Sequence, residues 1–236
     1  MTLKAVFIDV GNTLLYEKPS RFEIYAQAAR GRGVEVSTEA MATLMRRAHA
    51  ELPREVPGGF RYTDGWFEAY IESIFHDRLG VEKGALAELR GELFGRFSEP
   101  STFGVFPGGI ELLESLRRRG LVIGLVSNWS PRLPRLLEAL GIAQRVDFAL
   151  ASAIERAEKP DPALFERALA RAGAAPDEAV HAGDDPEKDL AGARRAGIRG
   201  VLVDREDRHP HEGPRVRDLA ELEGWITRLV RSASPP

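Results

Sequence analysis

The 236-residue sequence contains no cysteine. Disulfides, thiolate metal sites and a cysteine nucleophile are thereby excluded. Neither sign of charge is in excess: 33 Lys and Arg stand against 36 Asp and Glu, a formal net charge of -3. No positive field is available to hold nucleic acid or an anionic membrane, so neither is an expected partner. Long apolar runs are also missing. The longest, Leu121 to Val126, has six residues, against the ~20 needed to span a bilayer. The N-terminus meets Asp9 after a short apolar run, which does not fit a signal peptide, and a cytoplasmic protein is the expectation. Lysine is scarce, with only Lys4, Lys18, Lys83, Lys159 and Lys188. That bias towards Arg suits a GC-rich or heat-adapted source. What is present is ordinary for a globular protein with a real core: 43% hydrophobic and 29% charged residues, in a length that suits one large domain or two small ones.

Several short runs are apolar throughout rather than alternating. Leu3–Ile8, Leu121–Val126, Ala179–Ala182 and Gly200–Val203 read as parallel strands buried on both faces, and Asp147–Leu150 as a weaker one. Helical patterns separate them at Ile110–Arg119, Leu133–Leu140, Pro162–Ala172, Pro186–Ala196 and Leu219–Val230. Gly120, Gly141 and Gly197 stop three of these, and Asp161-Pro162 reads as an N-cap with Pro at the first helical position. Strand–helix alternation with short links predicts an α/β fold, a doubly wound parallel sheet. Residues 17–100 break the rhythm. They read as helices without strands, near 21–32, 38–51, 64–79 and 83–97, and form a candidate second domain, leaving 1–16 and 101–236 as the α/β core. The 232–236 tail reads as disordered.

Each polar signature follows the carboxyl end of a strand, where open α/β sheets bind ligands. Asp9, Thr13, Ser127, Asn128, Asp184 and Asp185 are therefore expected to converge. Lys159 joins them, because Pro160 holds it extended just after the weak strand and a helix begins at once. Three carboxylates cannot all ionise at close range without compensation. Lys159 neutralises one charge. Hard oxygen ligands without Cys or His point to Mg2+ for the rest. Such a site attracts an anion with several oxygens. Phosphate fits, with Ser127 as a donor and Asp9 as the nucleophile that forms an aspartyl-phosphate.

The segments Phe7-Ile8-Asp9-Val10-Gly11-Asn12-Thr13-Leu14, Leu125-Val126-Ser127-Asn128, Lys159-Pro160-Asp161-Pro162 and Gly183-Asp184-Asp185-Pro186-Glu187-Lys188-Asp189 resemble, in order, the four motifs of the haloacid dehalogenase-like hydrolase superfamily. The resemblance spans nearly the whole chain. It implies a Rossmann-like core with a C1-type helical cap that closes over the site and selects substrate. It also implies Asp9 as nucleophile and metal ligand, Ser127 holding the transferring group and Lys159 neutralising it. Asp184 matches the metal-binding acid. Asp189 would orient Lys159 or metal-bound water, Asp185 could share either task, and Thr13 would brace the first loop. Trp129, next to the second motif, is placed either to line the substrate crevice or to pack.

One position departs from the family pattern. Phosphatases of this type carry a second Asp two residues after the nucleophile, as general acid and base. Here that residue is Gly11. Gly11 retains the backbone carbonyl that the family uses towards the metal, but it cannot exchange protons. Acid/base help of roughly 10²–10⁴-fold is then missing. Three readings follow: a substrate with a good leaving group such as an acyl phosphate, a proton from Glu17, Asp64, Tyr62 or His76, or weak turnover in a phospholigand- or protein-binding module. A metal-free 2-haloacid dehalogenase also lacks this Asp and is the runner-up, although that branch does not typically carry an acidic pair like Asp184-Asp185. Gly58–Tyr62 is a candidate specificity loop. His181 reads as a packed core histidine, and His209 and His211 as solvated loop residues.

Overall fold

A computed structural model describes residues 2–232, so the four residues after Ser232, part of the expected tail, lie outside it. In chain order the strands and helices are β1 (Ala5–Ile8), β2 (Leu15–Glu17), α1 (Arg21–Arg30), α2 (Thr38–Glu51), β3 (Glu55–Val56), β4 (Gly59–Phe60), α3 (Asp64–Phe75), α4 (Leu86–Arg96), β5 (Phe103–Val105) and α5 (Gly109–Arg118). They continue with β6 (Val122–Ser127), α6 (Leu133–Ala139), β7 (Phe148–Ala151), α7 (Ser152–Glu155), α8 (Pro162–Ala172), β8 (Ala179–Gly183), α9 (Gly192–Arg195), β9 (Arg199–Val203), β10 (Arg215–Val216) and α10 (Leu219–Ser232). Two compact units emerge. The first takes residues up to Tyr16, Val105–Trp129 and everything from Leu133; the second takes Glu17–Gly104 with Ser130–Arg132. No helix among the described residues is long and apolar enough to cross a membrane.

The first unit is built on a six-stranded sheet in the order β10-β9-β8-β1-β6-β7, with every pairing parallel. This is the α/β, Rossmann-like architecture that the apolar runs predict. β1 is wholly buried in the centre, flanked by β6 and β8, so the chain leaves it at Asp9 in the middle of the sheet's carboxyl edge. One face packs Phe7, Val126 and Leu150 against Leu164, Phe165 and Ala168 of α8. Asp161 caps α8 by accepting from the Ala163 N–H at 3.0 Å, and the helix ends at Gly173 in the left-handed region, φ 60°.

The second unit has its own core, centred on Trp66, Tyr25, Tyr70, Ile71, Phe75 and Leu89. It is mainly helical, and β3 and β4 form a small hairpin around Gly58, pairing Val56 with Gly59, within a stretch that the sequence presents as helices without strands. Another difference lies at Pro186–Ala196, which the sequence presents as one helix. The chain instead makes a wide π-type turn over Pro186–Ala191 before α9. Asp185 starts that turn by accepting from the Glu187 and Lys188 N–H groups at 3.0 and 2.9 Å. The Asp189 side chain turns back to accept from the Asp185 N–H at 3.1 Å. Wide turns of this kind are frequent at functional sites.

Gly124 is required by a close approach. A Cβ there would lie 2.5 Å from the Phe148 ring and 3.0 Å from that of Phe7. Gly124→Ala should lower unfolding free energy in denaturant titrations by about 1–3 kcal/mol through overpacking. An unchanged midpoint would show that the two rings can yield.

Candidate active site

Asp9 leaves β1 with its N–H bonded to the Ala182 carbonyl of β8 at 2.9 Å. That bond fixes the residue at the sheet edge, and only 6% of it is exposed. Ser127, the last residue of β6, donates its hydroxyl to Asp9 Oδ1 at 3.0 Å. Lys159 Nζ donates to Asp9 Oδ1 at 2.6 Å and to Asp189 Oδ1 at 2.5 Å. All these side chains are buried. Asn128 pairs its amide with the Lys159 backbone, donating to the carbonyl at 2.9 Å and accepting from the N–H at 2.8 Å. The lysine is therefore aimed from its main chain.

Asp184 follows β8 and accepts from the Thr13 hydroxyl at 3.4 Å. Asp185 serves the turn and pairs with Lys188 at 2.8 Å. Trp129 is anchored by its backbone, its N–H donating to Ser152 Oγ at 3.1 Å and its carbonyl accepting from the Ala153 N–H at 3.2 Å. Asp9, Asp184 and Asp189 each bring a carboxylate oxygen to within 4.8 Å of the others. The four acid candidates of the helical unit all have partners within it. Glu17 pairs with Arg21, Asp64 is held by both Arg132 terminal nitrogens at 2.7 and 2.9 Å, Tyr62 bonds His49 at 2.9 Å, and His76 bonds the Val81 carbonyl at 2.9 Å.

His181 had no expected role. It is fully buried on β8, with Nε2 2.8 Å from Asp189 Oδ1 and its ring set edge-on against Phe165. Its Nδ1 is buried with no hydrogen-bond partner among the described residues. Burial disfavours its charge and lowers its pKa, so neutral His181 donates from Nε2. The available sequence signal was a lone polar side chain inside an apolar strand, a pattern shared by ordinary core histidines.

The electrostatics follow from burial and charge count. Burial opposes the Lys159 charge, but Asp189 and Asp9 outweigh it and hold the ammonium protonated. Burial likewise opposes ionisation of Asp189, and Lys159 and His181 overcome it, leaving its pKa well below the usual carboxylate range. Asp9 is raised by burial and by Asp189 despite Lys159. Asp184 is pushed up to about 7 by burial and by the Asp9 and Asp189 carboxylates. One ammonium thus faces three carboxylates. The surplus negative charge and the all-oxygen donor set fit a hard divalent cation.

The profile of the haloacid dehalogenase-like hydrolase family matches residues 3–197, and the chain belongs to that family. It is 33% identical to the phosphoserine phosphatase of Thermus thermophilus over 244 residues, covering 93% of this chain and 98% of that one. Among solved structures it resembles a HAD phosphatase from Thermococcus onnurineus, with TM-score 0.66, 25% identity, and coverage of 95% of this chain and 98% of the other. An L-2-haloacid dehalogenase shares the fold with TM-score 0.70 at 22% identity, over 96% of this chain and 100% of the other.

The raised Asp184 carries a sign. The native state keeps its proton up to about pH 7, whereas the ordinary value is 3.8. Ionising it therefore costs stability as pH rises through that interval. In metal-free buffer at pH 8, Asp184→Asn should be more stable than the parent, on the order of 1–2 kcal/mol after allowance for solvent screening. The gap should shrink from pH 7 towards pH 4. Denaturant titrations check this, and a variant less stable at pH 8 would contradict the charge count.

Proposed function

We propose that the protein is a Mg2+-dependent phosphatase acting on a small phosphorylated metabolite through an aspartyl-phosphate on Asp9. The observation that carries the reading is the buried Asp9 carboxylate held between the Ser127 hydroxyl and the Lys159 ammonium, beside Asp184 and Asp189. Both of those hydrogen bonds fall on Oδ1. Oδ2 is then the oxygen that attacks phosphorus. The P–O bond to the leaving group breaks as the Asp9–phosphorus bond forms, and water later cleaves the acyl phosphate to regenerate Asp9.

Ser127 and Lys159 donate to the phosphoryl oxygens as their charge spreads, already aimed before substrate arrives. Asp9, the Gly11 carbonyl and Asp184 would hold Mg2+, with Asp185 and Asp189 behind them. When bound, the ion supplies charge neutralisation for the carboxylates and the transferring group. Thr13, Asn128 and Trp129 border the substrate position, and the helical unit serves as the cap that selects substrate and excludes water. Gly11 offers no proton to the leaving oxygen, so acyl and aryl phosphates should turn over best. The likeness to a phosphoserine phosphatase makes phosphoserine a further probe.

A second reading, 2-haloacid dehalogenase chemistry with Asp9 attacking carbon, is favoured by Gly11 and by the resemblance of Ser127-Asn128-Trp129-Ser130-Pro131 to the second motif of that branch. Three carboxylates against one ammonium speak against a site that works without a cation.

Acetyl phosphate and p-nitrophenyl phosphate should be hydrolysed with Mg2+ and not after EDTA treatment, and Asp9→Asn should abolish turnover with the fold intact. Turnover of 2-chloropropionate insensitive to EDTA, with neither phosphate ester cleaved, would favour the second reading. Gly11→Asp should raise the rate on alkyl phosphates by at least roughly tenfold, as expected if proton transfer to the leaving group limits it. No gain on alkyl phosphates would place the limit elsewhere.

A further inference from the structure

The loop after Asp9 is tightly wound. The Leu14 and Leu15 N–H groups both donate to the Val10 carbonyl, at 3.0 and 2.7 Å, and the Asn12 N–H donates to Leu15 at 2.8 Å. Closing so short a loop puts Asn12 in the left-handed region, φ 56°, which few residues other than Gly adopt at little cost. The carbonyls of Asn12 and Thr13 are both taken by one side chain that carries no motif. Arg205 donates from its two terminal nitrogens to Asn12 O at 2.6 Å and Thr13 O at 2.8 Å.

Arg205 is itself held on several sides. Its guanidinium lies 3.7 Å from the centre of the Phe106 ring. The Phe106 N–H donates to Leu14 O at 2.9 Å, so the ring platform is tied to the same loop. The preceding residue, Asp204, is buried and accepts from the Arg208 and His209 N–H groups at 2.9 and 2.8 Å, while its own N–H reaches Val216 O at 2.8 Å. Partial burial disfavours the guanidinium charge, and the Asp184 carboxylate counters this. All of these groups lie in the sheet unit.

We propose that Arg205 is a positioning residue, clamping the nucleophile loop so that Asp9, the Gly11 carbonyl and the Thr13 hydroxyl keep their places for the reaction. Its kinetic arm rests on the phosphatase reading above; its structural arm does not. The fork matters as well as the charge, since a guanidinium reaches two carbonyls in one plane and an ammonium is a point donor. A displacement near 1 Å at such a loop can cost on the order of 10²-fold in rate.

The test compares Arg205→Met, which keeps an apolar stem over Phe106 without donors, and Arg205→Lys, which keeps the charge. Backbone hydrogen exchange is read first in metal-free protein. The Asn12, Leu14 and Leu15 amides should exchange roughly tenfold or more faster in Arg205→Met, with β1, β6 and β8 unchanged. On p-nitrophenyl phosphate with Mg2+, kcat should fall by roughly 10–100-fold with KM little moved, and Arg205→Lys should recover part of it. Unchanged loop protection with kcat within twofold of the parent would overturn the proposal. So would loss of protection across the whole sheet in both variants, which would make Arg205 a general stability element. If the parent hydrolyses no phosphate ester while the loop amides lose protection locally, the phosphatase reading fails and the clamp stands.

Discussion

The site depends on a single buried ammonium. Lys159 Nζ sits between Asp9 and Asp189, with side chains that are 2%, 8% and 2% exposed respectively. Removing these charges from water costs several kcal/mol for each ion, and only close geometry with further hydrogen bonds offsets it. The surrounding structure supplies that geometry. Asn128 fixes the Lys159 main chain, the wide turn after β8 carries Asp189 back to the Lys159 ammonium, and His181 takes up the same Asp189 oxygen. Gly183 belongs to this arrangement, since a Cβ there would fall 2.1 Å from Asp189 Cγ.

The ammonium does not balance the cluster. Asp184, pushed up to about 7, marks where the uncompensated charge collects. A centre with excess carboxylate, fixed donors on Asp9 and buried side chains suits a cation and an oxyanion bound together, which links burial at the sheet edge to phosphoryl chemistry. The same crowding makes the nucleophile loop a mechanical problem. Its backbone must keep a left-handed Asn12 beside these charges, and the Arg205–Phe106 clamp is the device present to hold it.

Much of this was legible in the residues. Apolar runs ending on polar signatures located β1, β6, β8 and β9, because strands buried on both faces admit little else. Convergence at carboxyl ends then brought Asp9, Ser127, Lys159 and Asp184 together from four distant segments. Features set by long-range packing were not legible. The π-type turn arises from Asp189 reaching back to Asp185, Lys159 and His181, contacts that helical periodicity does not encode. β10 has only two residues, paired with β9 from within a stretch rich in polar residues, Pro and Gly. Arg205 is one of many arginines, and nothing in its neighbourhood announces that two carbonyls lie across the sheet edge. The Asn128 pairing with the Lys159 backbone joins residues 31 positions apart, through a side chain that local pattern presents only as a turn residue.

The most direct measurement is chemical trapping of the covalent intermediate. The protein would be mixed with acetyl phosphate and Mg2+, quenched, reduced with borohydride and mapped by peptide mass spectrometry. Reduction of an acyl phosphate on Asp9 converts that residue to homoserine. The account predicts this change at Asp9 and at no other carboxylate. Steady turnover with Asp9 unmodified, or with homoserine at Asp184 or Asp189 instead, would contradict it.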